Sequence, residues 1–68
     1  MKFCVAYMNF YDNELTQTIV DCGDILDAPV VAGHASEDDR ACWDSVESMQ
    51  DYFFEGDSLV SVLPLENI

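Results

Sequence analysis

The chain has 68 residues, of which 14 are Asp or Glu and only two, Lys2 and Arg40, are Lys or Arg, so its formal charge is −12 although half of its residues are hydrophobic. That length leaves room for one domain, 1–68, near the lower end of what a hydrophobic core stabilises without metal or disulfide help. Its aromatic and branched apolar content excludes an acidic disordered tail, and its charge repels DNA, RNA and anionic membranes while attracting basic partners.

Residues Lys2 to Phe10 (KFCVAYMNF) are rich in β-formers, and Glu14 to Cys22 (ELTQTIVDC) carries Thr16, Thr18, Ile19 and Val20. Tyr11-Asp12-Asn13 between them suits a tight turn, because Asp and Asn tolerate positive φ and bond their own backbone. The pattern predicts a β-hairpin. Its first strand is apolar on both alternations and is the better central strand. A three-residue turn is expected to set Cys4 opposite Cys22, and a two-residue turn opposite Asp21, which makes a disulfide sterically conceivable. Three cysteines without a CxxC pair nevertheless suit reduced thiols.

The segment from Met1 to Phe10 lacks the long apolar run and cleavage site of a secretory leader. No stretch approaches the roughly 20 apolar residues of a membrane span, so a cytoplasmic location is expected, in the bacterial host if the chain is phage-encoded.

After Gly23, either Asp24 or Asp27 is positioned to cap a short helix through Ile25, Leu26, Val30, Val31 and Ala32. Pro29 is tolerated only in a first turn and favours Asp27. Gly33 and Ser36-Glu37-Asp38-Asp39 then read as an exposed connection. Cys42, Val46, Met49 and Phe53 follow at helical spacing on one face, with Asp44, Glu47, Asp51 and Glu55 on the opposite face. The packed part of this helix is expected to begin near Asp44, which has capping-box spacing to Glu47, and to stop at Gly56. Ser58 to Leu63 is a strand candidate that Pro64 confines to an edge or terminus.

The predicted order is β-β-α-α-β, or β-β-α-β without the first helix. The fold class is α+β: a three-stranded, mainly antiparallel sheet, made of the hairpin and the C-terminal strand beside the first, with one or two helices on one face.

Convergent chemistry is sparse. One histidine, His34, and two cations give no nucleophilic triad, the carboxylates lack EF-hand spacing, and no cofactor or metal is expected. Gly56-Asp57-Ser58-Leu59 has the Asp-Ser-Leu order of the phosphopantetheine site in acyl carrier proteins, but its context reads as a turn and strand start. An enzyme is therefore not expected.

The helix carries carboxylates without an interleaved Lys or Arg, whereas an ordinary exposed face mixes signs to gain i,i+4 pairs. At about 1.5 Å rise per residue, Glu47, Asp51 and Glu55 stand roughly 6 Å apart along the axis, sparser than the phosphates of one DNA strand at about 3.4 Å. Glu37, Asp38, Asp39, Asp12, Glu14, Asp21 and Asp24 thicken this ridge if the fold gathers them. Trp43, Tyr52 and Phe54 are candidate anchors wherever they are exposed near it, and otherwise core residues.

In size, charge and element order, from the hairpin MKFCVAYMNFYDNELTQTIVD through the helix ending YFFEG to the closing SLVSVL, the chain resembles the small acidic phage-encoded inhibitors of bacterial defence. These are the anti-CRISPR and antirestriction proteins, several of which are DNA mimics. The resemblance implies a noncatalytic inhibitor that binds the cationic DNA-recognition surface of a Cascade-like CRISPR effector complex and blocks target DNA. The expected partner-binding residues are Asp44, Glu47, Asp51, Glu55, Glu37, Asp38, Asp39, Asp12 and Glu14. The alternative is an acidic adaptor or regulator of another basic host protein, such as a restriction enzyme or a transcription or replication factor. A monomer is expected rather than a dimer.

Overall fold

The computed structural model describes residues 1–65; the last three residues of the expected domain lie outside that range. The elements are β1 (Lys2–Asn9), β2 (Leu15–Asp21), a 3-10 turn (Ile25–Asp27), α1 (Ala28–Val31), α2 (Glu37–Arg40), α3 (Val46–Glu55) and β3 (Ser58–Leu65). The sheet order is β2-β1-β3, antiparallel at both junctions. The α+β class, the hairpin and the docking of the last strand beside the first all agree with the sequence pattern.

β1 is central because it is apolar on both alternations and can pair along both edges without placing charge in the sheet. The hairpin loop closes through its short polar side chains. Asn13 takes φ 54° and donates its N–H to the Asn9 carbonyl at 2.9 Å. The Asn9 side chain accepts from the Tyr11 N–H at 2.8 Å, and the Asp12 carboxylate accepts from the Glu14 N–H at 3.2 Å.

The resulting register corrects the expected cysteine geometry. Cys4 stands opposite Ile19 on one side and Leu63 on the other, while Cys22 lies past the end of β2, its N–H on the Met1 carbonyl. Counting back residue by residue from the loop reaches Ile19, not Asp21 or Cys22, at Cys4. Three residues of strand, about 10 Å, therefore separate the two thiols, and all three cysteines are free.

One face of the sheet is covered. Phe3, Val5, Val20, Val60 and Val62 pack there against Leu26, Ala28, Trp43, Met49 and Phe53 from the helical layer. Each of the larger side chains contributes on the order of 1.5–3 kcal/mol on burial. β3 shows the two-residue alternation plainly: Ser58, Val60 and Val62 are buried while Leu59, Ser61 and Leu63 are exposed. Pro64 is accommodated because β3 is an edge strand.

The helices depart from expectation in three places. Ser45, not Asp44, caps α3: its hydroxyl accepts the Ser48 N–H and the Ser48 hydroxyl accepts the Ser45 N–H, each at 3.1 Å. The helix thus starts at Val46, and Cys42 falls outside it and is exposed, its place in the core taken by Trp43. The expected connection at Ser36 to Asp39 contains α2, which Ser36 and Asp39 close with a capping box of their own. Asp24 caps the 3-10 turn by accepting the Leu26 N–H at 3.0 Å. Asp27 holds the N-cap position of α1 but makes no side-chain cap bond there. Gly56 does end α3, although the left-handed residue is Asp57, at φ 61°.

Candidate functional site

α3 presents Glu47, Asp51 and Glu55 to solvent, and Asp44 is exposed just ahead of the helix. Glu47, in the first turn, is favoured by the helix dipole, whereas Glu55, in the last, is opposed by it and no basic residue offsets it there. The chain tolerates that cost.

Other carboxylates are engaged internally. Arg40, expected within an acidic loop, donates from Nε to Asp27 at 2.9 Å and lies 3.8 Å from Asp24. It ties α2 to the turn after the hairpin and neutralises carboxylates there instead of interrupting the surface field. The N-terminal ammonium bonds Asp21 at 3.0 Å. Asp39 accepts from the Ser36 backbone N–H and hydroxyl. Bonds from the Ser36 backbone, the Tyr52 hydroxyl and the Ser36 hydroxyl, in that order, hold its pKa below the ordinary carboxylate value. The Asp39 bond is also the leading reason that the Tyr52 phenol is raised.

Those bonds decide which expected site residues meet. Asp39 and Tyr52 lie near enough for each to perturb the other's pKa, and Glu37 and Asp38 of the same α2 are exposed. At the other end of α3, the Tyr11 hydroxyl donates to Asp57 at 2.8 Å, which raises the Tyr11 pKa through that bond first and the Asp57 charge second. Phe10 meets Phe54 edge to face at 6.2 Å between centroids, and the Phe10 N–H bonds the Asp57 carbonyl. The hairpin loop, with exposed Asp12 and Glu14, is thereby fixed at the C-terminal end of α3. Asp39 is the expected ligand most committed to the fold, and Asp21 and Asp24 likewise serve it.

Of the candidate anchors, Trp43 is a core residue at 4 % exposure, while Tyr52 and Phe54 are exposed at the ridge. The sequence reading missed Phe10 and Asp57, which join loop to helix; the only local signal was an Asp following Gly56, a residue type that accepts positive φ.

A cleft of about 380 Å³ opens beside α3, lined by Tyr7, His34, Tyr52, Phe53, Glu55, Gly56 and Ser58. His34 stacks on Tyr7 at 4.3 Å, and the Tyr7 and Ser58 hydroxyls share a 3.1 Å hydrogen bond. Ser58 is buried at the start of β3, as a turn-and-strand serine is. Burial lowers the His34 pKa from its ordinary value. A depressed histidine contributes stability that is present above the unfolded pKa of about 6.5 and lost as pH falls through the lower folded value. The melting temperature is expected to fall between pH 7 and 5.5, and His34→Phe, which keeps the stack without titrating, is expected to flatten that slope in a thermal melt series.

Among the described residues, no three His, Cys, Asp or Glu side chains are grouped to hold a metal ion, and no helix is long and apolar enough to cross a membrane. Comparison with protein families, curated proteins and solved structures finds no match.

Proposed function

We propose that the chain is a noncatalytic inhibitor of the anti-CRISPR type, a DNA mimic that occupies the cationic DNA-recognition surface of a CRISPR effector complex in the bacterial cytoplasm. One observation carries this: α2 and α3 follow one another in the chain, and their exposed carboxylates have no cation among them, because Arg40 is turned onto Asp27 and Asp24. Glu37, Asp38, Asp44, Glu47, Asp51 and Glu55 form the binding face, with Asp12 and Glu14 extending it at the hairpin loop.

Lys and Arg that normally hold phosphates meet these carboxylates. Long-range attraction speeds encounter, and occupancy then excludes DNA. Exposed Phe54 and Tyr52 supply apolar contact that charge alone lacks. The expected partner is a basic nucleic-acid-binding protein, not nucleic acid or membrane.

Competition tests this. Adding the protein to a purified Cascade-like effector and labelled target DNA is expected to release the DNA, with the required concentration rising steeply with salt. DNA that remains bound at saturating protein would sink the mimic and leave the alternative, an acidic adaptor of another basic host protein.

A further inference from the structure

We infer that the uncovered face of the sheet is a self-association surface, whose occupant is a second copy of this chain docked sheet to sheet. All the buried core lies on the helical side. On the other side the register aligns Cys4 with Ile19 and Leu63, and Met8 with Leu15 and Leu59. The four branched side chains are 65 %, 61 %, 59 % and 45 % exposed for Ile19, Leu63, Leu15 and Leu59, and an apolar groove of about 270 Å³ opens at one end of the face, lined by Ala6, Met8, Leu15, Leu59, Val60 and Ser61. An ordinary solvated sheet face alternates to polar residues instead.

Charge selects the occupant. Among the described residues, Asp21 is the one carboxylate that the strand alternation places on this face. It stands opposite Lys2 and is bonded by the N-terminal ammonium. A basic partner gains nothing here, whereas two copies of a chain of charge −12 can approach through this face with their carboxylates turned outward. Size is consistent with the same occupant. Three strands of this length present a face of roughly 25 by 14 Å. With its standing side chains it offers on the order of 500 Å² per copy, so a pair buries about 1,000 Å², the lower limit of a specific interface. Two sheets packed about 10 Å apart with aligned strands complete the arrangement, giving a weak dimer in place of the expected monomer.

Sedimentation equilibrium of the full chain tests this. The mass is expected to climb from 7.6 kDa towards twice that value as concentration rises from about 10 µM to about 1 mM. High salt should shift the rise to lower concentration, since screening weakens repulsion between two anions. The double variant Ile19→Glu, Leu63→Glu is expected to stay monomeric; both positions are exposed in the monomer, so its circular dichroism should be retained. Cys4 lies within the proposed interface and Cys42 outside it, so in the wild-type chain only Cys4 alkylation should slow at high concentration, a readout that does not depend on the variant folding. A 7.6 kDa mass at every concentration and salt overturns the proposal. So does an oligomer in which Cys4 alkylation is unchanged, or one that survives the double substitution. Binding of the cationic partner weakens with salt while dimerisation strengthens, so failure of either leaves the other standing.

Discussion

Converting Asp44, Glu47 and Asp51 together to Lys is expected to weaken binding to a cationic DNA-binding partner roughly a hundredfold, with α3 still folded. Each substitution replaces an attraction by a repulsion, and exposed pairs individually contribute little, so only the set produces a large change. The slower step should be association, because rim charges act mainly on encounter. The helix survives for local reasons. The Asp44 backbone N–H, not its carboxylate, bonds the Ser48 hydroxyl, and the Ser45 cap is untouched. Glu47→Lys forfeits a favourable dipole interaction in the first turn, while Asp51→Lys gains an i,i+4 partner in Glu55. Surface plasmon resonance beside circular dichroism checks both halves, and affinity within twofold of the parent would place the interface elsewhere.

Trp43→Ala is expected to cost about 3–5 kcal/mol. A domain of this length has roughly 3–10 kcal/mol in total, so the variant should lose a large share of its stability. The Trp43 indole packs on α3, its ring centroid 5.4 Å from that of Tyr52 and 5.6 Å from that of Phe53, and the Trp43 backbone carbonyl accepts from Arg40 at 3.5 Å. Removing the indole therefore opens a hole in the core against α3. The indole N–H has no partner among the described residues, so Trp43→Phe forfeits no hydrogen bond within them and should cost well under half as much. Urea denaturation compares the two. Equal losses would mean that more than ring volume is at stake.

Trp43 also shows what could be read from the chain alone. The helical wheel selected Cys42 because spacing by four and three continues backwards indefinitely on paper. In the fold, Ser45 and Ser48 end the period, and residues before the cap follow no 100° rule. β1 was legible as the central strand from its two apolar alternations, and helices on one face imply an open second face, but the same alternations suit a strand covered on both sides, so which residues lie on the open face, Cys4, Ala6 and Met8, was not legible. Glu47, Asp51 and Glu55 were assigned to one ridge by local spacing, which is reliable within a helix. Where Glu37 and Asp38 lie relative to that ridge depends on tertiary contacts of α2, Asp39 with Tyr52 and Arg40 with Asp27. Such contacts cross 13 residues each and leave no periodic trace.

Because β1 is the middle strand, its two edges are satisfied at very different times. The edge facing β2 closes within a hairpin, but the edge facing β3 pairs Val5 with Val62 and Cys4 with Leu63. A ribbon of β1 and β2 alone has two bare edges, and residues 58–65 cover only the one on β1. The β1–β3 pairing closes a loop that spans most of the chain, the costlier of the two closures in chain entropy. A bare edge of this kind is a site for pairing with other chains, and most of the carboxylates that would repel them lie beyond the hairpin, from Asp24 onward.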